Sequence, residues 1–384
     1  MNTPTKAYIG AKIHDGIELH NHHALVINEG GDCIVVPSDE DLGGCKIETL
    51  AGGVITPGFV DLQVNGGGGV MFNDEQSVSA LRKISNAHAS TGTVALLPTL
   101  ITDTAERTRA AIEAVESAID ENVEGIVGLH LEGPHLSIAR KGAHDPQLIR
   151  PMDDDDMALL LDAAERLPNL MVTVAPENTT PDQIATLAKV GIVVSLGHTD
   201  ANFDDCMKAF DAGASCVTHL FNAMSQLGNR EPGLVGATLA RKDIYAGLIA
   251  DGVHVHPSSI RTALAAKIDH HQIFLVTDAM ATAGSSIESF SINGRDVFRK
   301  ERRLTLQDGT LAGADLEMPR AISVMVNDVG DDISHAITRA TSTPAKLLKD
   351  SGKLGTLSHV KSGILYFSDF AGAEVTRLGL EYSE

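Results

Sequence analysis

Short apolar segments alternate with segments of helical spacing through the middle of the chain. Eight apolar segments rich in β-branched residues occur at 54–61, 93–98, 126–131, 171–175, 192–196, 216–220, 245–250 and 273–277. Helical spacing follows in five of the intervals, at 103–119, 153–167, 181–189, 203–212 and 257–267. Continuous apolar strands that alternate with helices are typical of a parallel sheet covered on both faces. Eight such repeats predict a closed (β/α)8 barrel.

The two ends of the chain have a different texture. Residues 1 to about 55 contain short β-like runs interrupted by Gly, Asn and Asp, and residues 363–368 form a similar run. Such runs with turn-forming residues between them predict short strands and tight turns. We therefore expect β structure outside the barrel at both termini.

Polar residues follow the apolar segments at the places where the strands should end. In a barrel of parallel strands, all of these ends open at one mouth, where enzymes of this architecture have their active sites. The residues are Asp61, Gln63 and Asn65 after the first segment, Glu132 after the third, Glu177 after the fourth, His198 after the fifth, His219 within the sixth, Asp251 and His254 after the seventh, and Asp278 after the eighth. The pattern predicts a polar site at this mouth.

Three of these residues form the ligand set of a catalytic metal site. Glu132, His198 and His219 supply one carboxylate and two imidazoles, which leaves a fourth position for water. A divalent cation such as zinc held in this way lowers the pKa of the water and polarises a carbonyl group. Activation of the water also needs a proton acceptor, and Asp278 is the candidate.

Composition and charge narrow the range of partners. The chain has 30 Lys and Arg against 51 Asp and Glu, which gives a formal net charge of −21. Nucleic acids and anionic membrane surfaces are excluded as partners, because binding to either requires clustered basic residues.

The cysteines and the apolar runs indicate the cellular compartment. The four cysteines form no Cys-x-x-Cys pair, so we expect reduced thiols. Neither a signal peptide nor an apolar run of about 20 residues is found. We expect a cytoplasmic protein.

Several motifs, taken in order, carry a family resemblance. They are PGFVD (57–61), HLEGP (130–134), THLFNAM (218–224), REPGL (230–234), ADGVH (250–254) and TDAM (277–280). With them the chain resembles the amidohydrolase superfamily and, within it, the deacetylases of amino sugar phosphates. The resemblance implies a catalytic barrel at 56–349 and a small β-sandwich domain built from 1–55 and 350–384. It also implies hydrolysis of N-acetyl-D-glucosamine 6-phosphate to D-glucosamine 6-phosphate and acetate.

The resemblance also implies a role for individual residues. One divalent metal per subunit would be held by Glu132, His198 and His219. Zinc is the expected metal, and iron, cobalt and manganese are alternatives. Asp278 would act first as the general base and then as the general acid. Residues that match the substrate and phosphate pocket are Ala143, His144, Asn222, Ala223, Arg230, Asp251, His254, Leu311, Ala312 and Gly313. In the family, a neighbouring subunit reaches part of this pocket, which implies a homodimer with the phosphate pocket near its interface.

The end of the first apolar segment departs from the wider superfamily. Many members carry His-x-His there for a second metal, whereas this chain has Gln63-Val64-Asn65. Because amides are weaker zinc ligands than imidazoles, we expect one tightly held metal. Gln63 is then expected to hydrogen-bond the substrate or a water molecule at the metal.

Two other functions are compatible with the sequence. One is a related amidohydrolase, such as a galactosamine-type phosphate deacetylase or a cyclic-amide hydrolase, because these motifs do not resolve the orientation of one sugar hydroxyl. The other is a catalytically silent regulator that binds a sugar phosphate on the same scaffold. The presence of all three ligands and of Asp278 favours the enzyme.

Overall fold

Eight parallel strands form a barrel in the computed structural model, which describes residues 3–292, 294–349 and 351–379. The strands are β1 (Phe59–Val64), β2 (Thr93–Ile101), β3 (Leu129–Glu132), β4 (Leu170–Val174), β5 (Val193–Leu196), β6 (Cys216–Val217), β7 (Tyr245–Leu248) and β8 (Ile273–Leu275). Each strand pairs in parallel with the next along the chain, and a bridge between Val64 and Ala279 connects β1 to the segment after β8. The predicted barrel is confirmed.

A helix follows every barrel strand. The helices are α1 (Val78–Ala89), α2 (Ala105–Asp120), α3 (Asp154–Arg166), α4 (Pro181–Lys189), α5 (Phe203–Asp211), α6 (Gly233–Ala240), α7 (Pro257–Ala266) and α8 (Met318–Val324), followed by α9 (Ile333–Ala340) and α10 (Ser342–Ala345). The five predicted helices correspond to α2, α3, α4, α5 and α7. Among the described residues, no helix combines the length and the apolar character needed to cross a membrane.

The prediction of a single strand at 54–61 is wrong. Val54–Pro57 pairs with Lys12–His14 and Ile364–Phe367 outside the barrel, and β1 begins only at Phe59. Gly58 lies between the two strands and donates its backbone N–H to the Gly363 carbonyl at 3.2 Å. Both halves of the segment are buried, so the apolar pattern does not reveal that the chain passes from one sheet to another.

Two sheets outside the barrel pack against each other. One consists of Cys33–Pro37, His23–Asn28, Pro4–Ile9 and Lys46–Thr49, and the other of Thr376–Arg377, Ile364–Phe367, Val54–Pro57, Lys12–His14 and Leu19–His20. Tyr8 and Leu25 from the first sheet and Ile13, Ile55 and Ile364 from the second share one buried apolar cluster. Strands from both ends of the chain thus form the predicted small β domain.

An antiparallel sheet is inserted between β8 and α8. Its strands are Ser289–Ile292, Arg295–Lys300, Arg303–Leu306 and Leu311–Ala314. The last strand lies at the carboxyl end of β8, because Ala314 donates its backbone N–H to the Asp278 carbonyl at 3.1 Å. A two-stranded pair, Gly66–Gly67 with Val70–Met71, follows β1. Both additions surround the mouth of the barrel, which we define as the end where the carboxyl termini of β1–β8 lie.

Candidate active site

Glu132, His198 and His219 converge at the mouth of the barrel. The Glu132 Oε1 atom lies 3.0 Å from His219 Nε2 and 3.3 Å from His198 Nε2, and the two Nε2 atoms are 3.1 Å apart. All three side chains are buried. A tetrahedral zinc ion with bonds of about 2.0 Å holds its ligand atoms about 3.3 Å apart, so the spacing of these three atoms fits one cation.

The hydrogen bonds around the imidazoles also fit a cation. His198 Nδ1 donates to the Arg140 carbonyl at 2.8 Å, so its Nε2 carries the lone pair that a metal requires. That lone pair faces the Nε2 atom of His219. His219 Nδ1 is buried and has no hydrogen-bond partner among the described residues. Two ring nitrogens and a carboxylate oxygen this close together form a group that could hold one metal ion.

The carboxylates at the mouth have displaced pKa values. Burial acts to raise the pKa of Glu132, but the hydrogen bonds and charges of His198 and His219 hold it well below its usual range. Burial and the negative charge of Glu132 raise the pKa of Asp278 to about 6. Glu132 is therefore held in the ionised form that binds a cation, and Asp278 is suited to exchange a proton near neutral pH.

Left-handed backbone conformations direct three of these side chains into the mouth. The φ angles of His198, His219 and Asp278 are 46°, 30° and 50°, in a region that residues other than glycine rarely adopt. Backbone hydrogen bonds to neighbouring segments hold two of these turns: Ser137 donates its N–H to the His198 carbonyl at 2.8 Å, and Asp278 donates its N–H to the Gln63 carbonyl at 3.0 Å. Strained backbone of this kind persists where the surrounding structure enforces it, commonly at functional sites.

A cavity of about 270 Å³ opens above these side chains. The sequence-predicted residues that line it are Glu132, Ala143, His144, His198, His219, Asn222, Ala223, His254, Asp278, Leu311 and Gly313. Asn65, expected at the mouth from its place after the first apolar segment, also lines the cavity, and five lining residues were not predicted: Ile101, Gly142, Ile249, Met280 and Thr310. Gly142 and Thr310 adjoin predicted residues and Met280 belongs to the TDAM motif, whereas Ile101 and Ile249 are apolar residues that carry no chemical signal in the sequence.

Four of the residues expected to bind the substrate lie outside the cavity lining. Gln63 is buried behind it and donates from Nε2 to Glu132 Oε1 at 3.2 Å and to Asp278 Oδ1 at 3.1 Å. Asp251 accepts from His254 Nδ1 at 2.6 Å and so fixes that imidazole. Ala312 packs in the apolar cluster of the inserted sheet, and Arg230 is exposed on the loop before α6.

His144 is a neutral hydrogen-bond donor at the edge of the metal site. Its Nδ1 accepts the Thr102 backbone N–H at 3.3 Å, so the ring proton is on Nε2, which lies 3.9 Å from Glu132 Oε2. Burial, with the nearby His198, lowers the pKa of His144 to about 3. The ring therefore carries no charge at neutral pH and offers one N–H toward the metal ligands.

The barrel and the buried ligand group define a metal-dependent hydrolase, and comparison with known proteins identifies the family. Residues 54–365 match the amidohydrolase family, so the chain belongs to it. A curated N-acetylgalactosamine-6-phosphate deacetylase from Shewanella sp. (strain ANA-3) is 42% identical over 88% of this chain and 86% of its own length. An N-acetylglucosamine-6-phosphate deacetylase from Haemophilus influenzae is 35% identical over 92% and 93%. The crystal structure of N-acetylglucosamine-6-phosphate deacetylase from Pasteurella multocida superposes with a TM-score of 0.89, at 34% identity and 96% coverage of both chains.

Proposed function

We propose that this amidohydrolase removes the acetyl group of N-acetyl-D-glucosamine 6-phosphate by hydrolysis, which yields D-glucosamine 6-phosphate and acetate. The observation that carries the proposal is the joint placement of Glu132, His198, His219 and Asp278 around one cavity. The similarity to curated deacetylases over about nine tenths of the chain supports the same reaction.

The metal of this site is proposed to be a single zinc ion. One carboxylate and two imidazoles with an open position suit catalytic zinc, and iron, cobalt or manganese bind similar ligand sets less selectively. When bound, the cation would activate a water molecule and polarise the acetamide carbonyl. A second cation is disfavoured, because Gln63 and Asn65 donate their amide N–H groups to carboxylates instead of presenting lone pairs to a metal.

Asp278 is the residue that moves the proton. It takes a proton from the attacking water while the new C–O bond forms at the acetamide carbon, and it gives this proton to the nitrogen when the C–N bond breaks. His144 Nε2–H is the donor placed to stabilise the oxyanion of the tetrahedral intermediate. The products are the free amine and acetate, and no covalent acyl-enzyme is required.

The phosphate group is proposed to be bound by His254 of the same chain and by Arg230 of a second copy. His254 lines the cavity with its ring fixed by Asp251, whereas Arg230 is exposed and does not line the cavity of its own chain. A guanidinium can bind a phosphate through two parallel N–H groups. A homodimer that brings Arg230 to the neighbouring cavity would add a positive charge there, because no Lys or Arg of the described residues lines the cavity.

A cytoplasmic location is proposed from the cysteines. All four are free in the structure, and Cys33, Cys206 and Cys216 are buried. Burial raises the pKa of each of these three thiols to about 12, so they remain protonated and unreactive. Unpaired, unreactive thiols suit a reducing compartment.

The galactosamine epimer is a second candidate substrate. The observation that favours it is the 42% identity to the Shewanella enzyme, which is named for N-acetylgalactosamine 6-phosphate. The two sugars differ in the orientation of one hydroxyl group, and the acetamide chemistry is the same for both.

Acetate release by zinc-loaded protein on both acetamido sugar phosphates, with metal analysis of the same sample, tests the function. We expect one metal per chain and a higher kcat/KM for the glucosamine substrate. A higher value for the galactosamine substrate would establish the second candidate, and hydrolysis of neither would refute both. In the same assay, Arg230→Ala should raise KM for the phosphorylated sugar far more than for its unphosphorylated analogue, and an equal change for both would remove Arg230 from the phosphate pocket.

A further inference from the structure

One oxygen of the Asp278 carboxylate receives two amide N–H groups. Asn65 Nδ2 donates to Asp278 Oδ1 at 2.7 Å, and Gln63 Nε2 donates to the same atom at 3.1 Å. No donor among the described residues reaches Oδ2, and Asp278 lines the cavity. The two carboxylate oxygens of Asp278 therefore differ: Oδ1 is held by two hydrogen bonds and Oδ2 is not. In a free carboxylate the two oxygens are equivalent.

We infer that Gln63 and Asn65 are positioning residues for Asp278: their amides hold Oδ1 so that Oδ2 is the oxygen presented to the reacting water. This inference rests on the proposed role of Asp278 as the general base. It assigns a function to the end of β1 that is neither metal binding nor substrate contact.

The backbone places both amides against Asp278. Gln63 lies in β1 and Asn65 directly follows this strand, and both side chains reach the same oxygen of Asp278. The Gln63 carbonyl accepts the Asp278 N–H at 3.0 Å, and the Asn65 N–H donates to the Ala279 carbonyl at 2.9 Å. These backbone bonds fix the register between the end of β1 and the turn after β8, and the amide bonds then fix the carboxylate itself.

The Asn65 amide is oriented so that its nitrogen atom, and not its oxygen atom, faces Asp278. Its Oδ1 atom is buried and has no hydrogen-bond partner among the residues that the structure describes, an arrangement that costs free energy and is uncommon in native structures. The reverse orientation would place this oxygen against the carboxylate oxygen at the 2.7 Å now occupied by the N–H bond. The contact with Asp278 thus determines the amide orientation, although the Asn65 oxygen stays unpaired.

Gln63 connects the base to the metal ligand. Its Nε2 donates to Asp278 Oδ1 and also to Glu132 Oε1, the oxygen that faces both imidazoles. The amide is uncharged and therefore bridges the two carboxylates without changing the net charge of the site. A fixed distance between base and metal matters, because misplacement of a catalytic group by about 1 Å can lower a rate by about 10²-fold.

The variant Asn65→Ala separates positioning from structural support. The substitution removes the N–H donor and, with it, the unpaired oxygen, so the unfolding temperature should stay close to that of the native chain. In metal-loaded protein we expect kcat to fall by about 10- to 100-fold, with KM within about twofold and metal content unchanged. Gln63→Met, which keeps the length of the side chain without its donor, should lower kcat in the same way.

Asn169→Ala is the matched control. Asn169 is also a buried asparagine, but it lies at the opposite end of the barrel, where its Nδ2 donates to the Val127 carbonyl and its Oδ1 accepts the Lys349 N–H, both at 2.7 Å. Its replacement should lower the unfolding temperature and leave kcat unchanged. This is the reverse of the result expected for Asn65→Ala.

The inference is overturned if Asn65→Ala keeps kcat within about twofold of the native value, or if its kcat falls only as far as metal content or folded protein is lost. Crystal structures of the metal-loaded native chain and of Asn65→Ala provide a readout that does not depend on turnover: the Asp278 carboxylate should rotate or become disordered in the variant. If the native chain releases no acetate, the proposed function fails, and these structures alone decide whether the amides position Asp278.

Discussion

The mouth and the base of the barrel both bury charged side chains, but they compensate the charge in different ways. At the mouth, Asp61, Glu132 and Asp278 are buried carboxylates, and among the described residues no Lys or Arg forms an ion pair with any of them. At the base, where the amino ends of the strands lie, the buried Arg339 donates from Nε to Asp331 at 2.9 Å and from Nη1 to the carbonyl of Ile273, the first residue of β8, at 2.9 Å.

This difference indicates what each end is built for. A buried charge without an opposite charge is unfavourable, so the excess of carboxylates at the mouth is expected to be balanced by a cation from solution. The base requires no such partner, because Arg339 and Asp331 neutralise each other within the chain. Substitutions at the mouth should therefore change activity more than stability, and substitutions at the base should do the opposite.

The largest effect is expected for Asp278→Asn at the mouth. The amide cannot accept a proton, so turnover should fall by about 10²- to 10⁴-fold. Metal content should stay at the native value, because Asp278 is not one of the three ligands, and the free energy of unfolding should not decrease, because a buried charge is removed. Acetate release, metal analysis and denaturant unfolding measure the three quantities. Near-normal turnover would show that another group acts as the general base.

Arg339→Met at the base should have the opposite outcome. It leaves the Asp331 carboxylate, whose side chain is 8% exposed, without its arginine partner, and the free energy of unfolding should fall by about 3–5 kcal/mol. The turnover of the protein that remains folded should not change. Denaturant unfolding checks the first expectation and acetate release the second.

Arg82→Met is the matched control for Arg339→Met. Arg82 pairs with Glu121 at 3.0 Å, but both side chains are half exposed, and such pairs contribute less than about 1 kcal/mol. If Arg339→Met is no more destabilising than this control, the ion pair at the base does not stabilise the fold. If it lowers turnover of the folded protein, the two ends of the barrel are not independent.

The sequence predicts the mouth more fully than the base. Metal ligands and a proton acceptor are recognisable residue types, and the parallel barrel brings the carboxyl ends of its strands together, so Glu132, His198, His219 and Asp278 could be named in advance. The bond between Asn65 and Asp278 spans 213 residues and has no local signal. The contact of Arg339 with the carbonyl of Ile273 also joins residues distant in sequence, across 66 residues.

Helices α4 and α6 show how end signals help the prediction of a helix and how complete burial prevents it. The bounds of α4 match the predicted 181–189, because Thr180 caps the helix, Gln183 closes the capping box and Pro181 opens the first turn. Helix α6 was missed because all of its residues from Gly233 to Leu239 are buried, which removes the polar face that reveals a helix. A buried helix and a buried strand look alike in such a pattern.

The smallest effect concerns acid stability at the junction between the small domain and α9. His14 is fully buried, donates from Nε2 to Ser334 at 3.0 Å and accepts the Gly16 N–H on Nδ1 at 3.1 Å, and burial lowers its pKa to about 4. The unfolded chain binds a proton near pH 6.5, while the folded chain does so only near pH 4, so stability is lost as the pH falls between these values.

His14→Gln should remove the part of the acid-induced loss of stability that is due to His14. From the two pKa values, about 2 kcal/mol of stability should be lost through His14 between pH 7 and pH 5, and the variant should lack that loss whatever its stability at pH 7. Urea unfolding at both pH values, on native chain and variant, measures the difference. Equal losses in the two proteins would mean that His14 is not held neutral by the fold.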